Sequence, residues 1–186
     1  EHEQMGMRRG ISDSFDGTLF ILWGWIAFIN YFFLGYLTRI MVTTHQMMQG
    51  VHILEILLPL LGLAYTIYYI LKRKEHLQNQ SSISLRYVWI GLVVSLVLVN
   101  LIQFNVLQSI HFELQHPIFM VLIAFAITIT GGILRFRIVV AGGIAFGILA
   151  YVASYFPLHE QLLVEAIAWL LAFVIPGHYL YSKRKK

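Results

Sequence analysis

The chain lacks cysteine altogether and contains few charged residues. Its 186 residues include 13 Lys and Arg, 9 Asp and Glu, and no Cys. Without cysteine there are no disulfide bonds and there is no thiol chemistry. Only 12% of the residues are charged, whereas about 25% is usual in a soluble domain. A water-soluble globular fold is therefore a poor explanation of this composition.

Motifs typical of hydrolytic and nucleotide-dependent enzymes are also missing. The sequence has no H-E-x-x-H, no G-x-S-x-G, no P-loop and no G-x-G-x-x-G. No histidine spacing matches a known metal motif. Lys and Arg are absent from the interiors of the long apolar runs, which argues against phosphate chemistry and voltage sensing there. We therefore predict no catalytic residue, no metal site and no cofactor.

The chain is rich in long runs of apolar residues. Hydrophobic residues make up 59% of it, and six apolar runs are each close to the roughly 20 residues that cross a bilayer as a helix. The runs are continuous rather than alternating, which favours helices over a strand barrel. We predict an all-α bundle of six transmembrane helices in one domain (18–182), with a polar segment (1–17) and a basic tail (183–186). The six runs are residues 19–38, 51–71, 87–103, 117–134, 138–156 and 161–181.

The basic residues predict the orientation of these spans. In an alternating six-span chain, 12 of the 13 fall on one side, and Arg39 is the exception. Because cytoplasmic loops are enriched in Lys and Arg, both termini are predicted to be cytoplasmic. The net charge of +4 is then explained by basic loops and a basic tail facing anionic lipid, and nucleic acid is not an expected partner.

An internal repeat would divide the bundle into three helical hairpins. The second, fourth and sixth runs end in similar aromatic, aliphatic and basic residues. The alternative is that any inner-leaflet boundary has this composition. A true repeat would favour a site on a common axis.

Several polar residues interrupt the apolar runs near the predicted outer boundary. Pro59 has no N–H for the carbonyl of Glu55, and His52 lies one turn away on the same face. Ionisable groups within a membrane are functional candidates by default. The alternative is that these groups reach water or bond a neighbouring Tyr or Asn. The predicted outward-facing ligand or ion pocket comprises His52, Glu55, Glu165, Asn100, Gln103 and Asn30.

Glycine and proline predict local features of the last three runs. Gly143 and Gly147 form a G-x-x-x-G step, which allows two helix backbones to approach closely. With Gly131 and Gly132 they predict tight packing of the fourth helix on the fifth. Pro176 predicts a kink or an end of the sixth helix, just as Pro59 predicts a kink in the second.

Some segments resemble a known family. Phe20-Ile21-Leu22-Trp23-Gly24-Trp25 and the closing Ile175-Pro176-Gly177-His178 are similar to six-span inner-membrane proteins common in Bacteroidota. Members usually carry a longer amphipathic segment before the first span, and Pro often stands where this chain has Ile138. The resemblance implies a multi-pass protein of the bacterial inner membrane. It implies no activity.

Two functions are best supported by these features, and a membrane enzyme, for which no motif is present, ranks last. The first is transport or binding of a small solute or ion through the outward pocket. The second is a non-catalytic subunit or scaffold of an inner-membrane complex, whose helix faces contact a membrane protein partner or a second copy of the chain. In both cases lipid surrounds the bundle.

Overall fold

The computed structural model describes residues 17–40, 57–58, 60–69, 72, 80–109 and 111–184, and all regular structure within these ranges is helical. His52, Glu55 and Pro59 lie outside the described residues. We number the helices in chain order. They are α1 (Thr18–Ile40), α2 (Leu60–Tyr69), α3 (Gln80–Leu107), α4 (Phe112–Leu134), α5 (Arg137–Ala153) and α6, which comprises Leu158–Trp169, a π-helical turn Leu170–Val174 and Ile175–Arg184.

Four of these helices are long and apolar enough to cross a membrane, namely α1, α3, α4 and α6. The prediction of an all-helical, apolar architecture is thereby confirmed at this coarser level. The shorter α5 has 17 residues, and α2 is described over Leu60–Tyr69. Large hydrophobic side chains cover the outside of the bundle, including Ile90, Phe125 and Ile148, each at least 55% exposed. Lipid is the solvent that accepts such a surface.

The buried share of each long helix shows which helix is central. Half of the apolar window of α6 is buried inside the bundle, compared with 11% of that of α3. Helix α6 contacts α1 along its length and also packs on α4 and α5, while α3 packs mainly on α4. Helix α2 contacts α1 through a hydrogen bond in which the Trp23 indole donates to the Thr66 hydroxyl at 3.0 Å.

Glycines bring α1 and α6 together in antiparallel orientation. A β-carbon at Gly24 would lie 2.8 Å from the β-carbon of Phe173, and one at Gly177 would lie 2.9 Å from the backbone nitrogen of Ile21. Such short distances show that the two backbones approach closely only because these side chains are absent. The pairing places the beginning of α1 beside the end of α6.

A second close approach joins α4 to α5. A β-carbon at Gly131 would lie 2.6 Å from the nitrogen of Val140, and one at Gly143 would lie 2.8 Å from the nitrogen of Thr128. At Gly147 the nearest atom is the Ala124 β-carbon at 3.5 Å, an ordinary contact.

Gly132 corrects the sequence prediction of this contact. It is exposed, and within the described part of the chain a β-carbon there would meet nothing within 4 Å. Adjacent residues on a helix point about 100° apart, so Gly131 faces α5 while Gly132 faces outward.

The α4–α5 turn is short because Arg135 adopts a left-handed conformation with φ of 56°. The N–H of Phe136 donates to Gly131 and that of Arg135 to Gly132, which is the Schellman pattern of a helix end. An arginine therefore occupies a position that usually favours glycine.

Two proline predictions also change. The fourth run was expected to begin at Pro117, but α4 begins at Phe112 and Pro117 lies inside it. Pro176 does not end the sixth helix, which continues to Arg184. A π-helical turn, Leu170–Val174, lies directly before Pro176. This wider turn accommodates a residue that cannot donate the i to i−4 bond. The predicted kink at Pro176 stays a prediction.

Aromatic side chains fill the core between these helices. Phe173 of α6 stacks on Phe20 of α1, with ring centroids 4.8 Å apart, and meets Trp89 of α3 edge-on at 6.2 Å. Trp169 continues the series one turn away and contacts the fully buried Phe146 of α5 at 5.5 Å. The aromatic series thus joins three helices, α1, α3 and α5, to α6.

The adjacent glycines allow a matched test of the α4–α5 contact. We expect Gly131→Ala to destabilise the protein by about 1–3 kcal/mol, because the added methyl group meets the backbone of α5. Gly132→Ala is the control, and it should leave the midpoint of thermal unfolding in detergent unchanged or slightly higher. Equal losses in both variants would contradict this packing.

Candidate functional site: a buried carboxylate–imidazole pair

A carboxylate and an imidazole from different helices meet inside the bundle. Oε2 of Glu165 on α6 and Nδ1 of His116 on α4 form a hydrogen bond, with the two atoms 2.9 Å apart. The Glu165 side chain is 1% exposed and that of His116 is 18% exposed. Glu165 lies seven residues after Leu158, about 10 Å along the helix from its beginning. The pair is therefore a buried polar contact between two of the four long apolar helices.

Aromatic groups surround this pair. The Trp169 indole N–H points at Oε1 of Glu165 from 3.5 Å, the long limit of a hydrogen bond. Tyr31 of α1 contacts the His116 ring edge-on, with centroids 6.0 Å apart. Three helices thus hold the pair in place, and the aromatic rings keep its surroundings low in dielectric.

A second polar contact joins α3 to α4 at the same end of the bundle. Asn100 donates from Nδ2 to the Leu96 carbonyl at 3.0 Å, so its Oδ1 is the acceptor for Gln115 Nε2 at 2.9 Å. Because a backbone carbonyl can only accept, this chain of bonds fixes the orientation of both amides. The carbonyl oxygen Oε1 of Gln115 is consequently left over.

Gln161 supports the beginning of α4 in place of a backbone bond. Pro117 has no N–H to give to the Glu113 carbonyl four residues earlier. The Gln161 amide Nε2 on α6 reaches that carbonyl at 3.1 Å and also donates to the Phe156 carbonyl at 2.9 Å. Both partners only accept, so the amide orientation is fixed here too, and Oε1 of Gln161 is left over.

Buried amide atoms without a partner collect at this end of the molecule. Gln103 on α3 is 6% exposed, and neither its Nε2 nor its Oε1 has a partner among the described residues. The same holds for Oε1 of Gln115 and Oε1 of Gln161. Buried polar groups usually find partners, so each exception calls for a physical explanation.

The structure thus groups three of the predicted pocket residues, Glu165, Asn100 and Gln103, at one end of α3 and α6. Asn30 is half-buried on α1 and makes no hydrogen bond to the His116–Glu165 pair. His52 and Glu55 fall outside the described residues, so the predicted contribution of α2 stays a prediction.

Sequence reasoning missed His116, Gln115, Gln161 and Tyr31 as members of the site. The signal for two of them was present. The argument that Pro59 frees a carbonyl applies equally to Pro117 and Glu113, and a freed carbonyl needs a donor such as Gln161. Gln161 and Glu165 also stand four residues apart, on one face of α6.

No protein-family model matches this chain, and searches of curated proteins and of solved structures found no significant match either. The site must therefore be interpreted from its own chemistry. Over the described ranges, no three His, Cys, Asp or Glu side chains are grouped as a transition metal would require. The arrangement offers one buried carboxylate, one imidazole and several uncommitted amide oxygens.

A double-mutant cycle tests the link between Pro117 and Gln161. We expect Gln161→Leu to destabilise the protein by about 1–3 kcal/mol, because it leaves the Glu113 carbonyl without a donor. In the Pro117→Ala background the backbone N–H of residue 117 bonds that carbonyl instead, so Gln161→Leu should cost about 1 kcal/mol less. Unfolding in detergent measures all four proteins. Additive effects would show that Gln161 does not compensate for the proline.

Proposed function

We propose that this chain is a six-span protein of a bacterial inner membrane that binds and transports a small polar solute or ion through a pocket on the outer side. Both termini are cytoplasmic in this proposal. The location rests on the resemblance to six-span inner-membrane proteins of Bacteroidota. The remainder rests on the site geometry and on the distribution of charge.

The observation that carries the proposal is the burial of Glu165 against His116. An ionisable pair inside a membrane is costly, and an apolar residue would serve packing at least as well. A protein that retains such a pair inside its most buried helix gains something other than stability from it. Binding of a polar ligand is the use that the surrounding amides support best.

The distribution of basic residues supports the orientation. Arg135 and Arg137 lie in the α4–α5 turn, at the opposite end of α4 from His116. If the basic turn is cytoplasmic, the His116–Glu165 pair lies toward the outer leaflet. Its distance of about 10 Å from the beginning of α6 leaves one or two helical turns between it and the outside.

The absence of native cysteine makes the orientation simple to test. A single Ser109→Cys substitution falls between α3 and α4, Ser154→Cys falls directly after α5, and Ser182→Cys falls near the end of α6. The first two positions are on the proposed outer side. In intact spheroplasts, an impermeant maleimide should label the first two. It should label the third only after permeabilisation. Labelling of Ser182→Cys in intact spheroplasts would contradict the proposed orientation.

A second experiment tests ligand binding. Purified protein is screened by thermal unfolding against alkali-metal chlorides, amino acids and monosaccharides, and each stabilising solute is then tested for uptake into proteoliposomes. We expect Glu165→Gln to abolish both stabilisation and uptake, because it removes the charge while keeping the shape. Glu113→Gln is the matched control, since this exposed carboxylate lies at the same end of the bundle. A solute response unaffected by Glu165→Gln would defeat the proposal.

The scaffold alternative is favoured by one observation, the exposed face of α3. Only 11% of its apolar window is buried, and Ile90, Leu101 and Ile102 are each 59% exposed. A partner helix could cover this face. In that case Glu165→Gln would be silent, and extraction in mild detergent would bring down a constant partner or a second copy of the chain.

A further inference from the structure

We infer that the ligand of this site is a small monovalent cation, either an alkali-metal ion or a primary ammonium group. The inference rests on the proposed function, because it specifies the chemistry of the same pocket. It comes from counting which polar atoms near Glu165 are already used and which remain available.

The hydrogen bonds of the site consume donors and leave acceptors. The amide nitrogens of Gln115 and Gln161 are committed to fixed acceptors, as shown by their bonds to Asn100 and to backbone carbonyls. Their carbonyl oxygens and that of Gln103 have no partner within the described ranges, and among the amide nitrogens Nε2 of Gln103 also has none there. These nitrogens leave at most three N–H groups free, two on Gln103 and one on Gln115, whereas the three carbonyl oxygens together offer about six lone pairs. Acceptors therefore exceed donors, which suits a ligand that donates hydrogen bonds or carries positive charge.

These oxygens lie at a similar depth in the bundle. Gln115 and Gln161 each lie three residues after the first residue of their helix, and Gln103 lies four residues before the end of α3. Each is therefore about 5–6 Å from a helix end on the same side of the bundle. Glu165 lies one turn deeper than Gln161 on the same face of α6.

The charge of the pair sets the charge of the ligand. In the ligand-binding form that we infer, Nδ1 of a neutral His116 donates to an ionised Glu165, and this form of the pair carries a net charge of −1. A buried unpaired charge is costly, and one positive charge brought in by a ligand offsets it. A divalent ion would leave an excess positive charge and prefers several carboxylates, whereas the described residues group no three His, Cys, Asp or Glu side chains.

The packing sets the size of the ligand. Each of the unpartnered amide atoms has less than 1 Å² of accessible surface, and Leu162 and Met120 nearby are fully buried. A ligand that reaches atoms enclosed this tightly must be small. Oxygen ligands suit alkali-metal ions, and the rings of Tyr31 and Trp169 suit an ammonium group through cation–π contacts.

Gln103→Leu tests this inference with two effects of opposite sign. In cation-free buffer the variant should unfold at the same temperature as the wild type or higher, because it removes a buried amide that has no partner. The same substitution should weaken cation binding at least tenfold, because it removes a ligand oxygen. Asn105→Leu is the control, an exposed position on the same helix, and it should leave binding unchanged.

The measurement uses the purified full chain in detergent at constant ionic strength. Intrinsic tryptophan fluorescence and thermal unfolding are followed during titration with NaCl, KCl or methylammonium chloride, each balanced by N-methyl-D-glucamine chloride. At least one small cation should give saturable changes in both signals, and Glu165→Gln should abolish them. Equal responses to all salts, including the bulky control cation, would show an ionic-strength effect and overturn the inference.

Failure of the inference is distinguishable from failure of the proposed function. If no small cation binds but an uncharged solute from the screen stabilises the protein in a Glu165-dependent manner, the pocket is real and its ligand is not a cation. If only water binds beside the unpartnered amide oxygens, neither cations nor uncharged solutes will stabilise the protein. Both proposals would then be wrong.

Discussion

The close approach of helix backbones in lipid is the constraint on which this structure depends. Apolar side chains gain little by leaving lipid for a protein interior, so helix association relies on van der Waals contact over short distances. Glycines supply that contact here. Gly24 and Gly177 bring α1 against α6, and Gly131 and Gly143 bring α4 against α5. Because of these contacts α6 lies at the centre of the bundle, and the side chains on its inward face are buried.

Burial by close packing explains how the polar end of the bundle can exist. Once α6 is held against α1, α4 and α5, the side chain of Glu165 has no route to lipid and must find a partner within the protein. His116 provides it, and Gln161 repairs the bond that Pro117 removes from α4. The same helix thus supplies the carboxylate and the amide that stabilises the neighbouring helix. Helix α6 therefore contributes both to the stability of the bundle and to its polar site.

The sequence alone predicted much of this fold, since long apolar runs in lipid have few alternatives to helices. Glu165 was identifiable too, because a carboxylate in an apolar run stands out. Its partner was not, because neither run length nor periodicity specifies which helices touch. The run of apolar residues predicts a helix that begins at Pro117, and this prediction leaves His116 outside the span. Gly131 and Gly132 were equivalent in the sequence, and only the rotation of α4 separates them.

The π-helical turn Leu170–Val174 has a consequence for how insertions and deletions act on α6. Such a turn amounts to one extra residue in an otherwise regular helix, which changes the phase of everything beyond it by about 100°. The Glu165 half of α6 and the Pro176 half can therefore each face their own neighbours. Deleting a single residue from this turn would restore a uniform helix. It would also swing one half away from its contacts, so the two ends of α6 depend on this irregularity for their register.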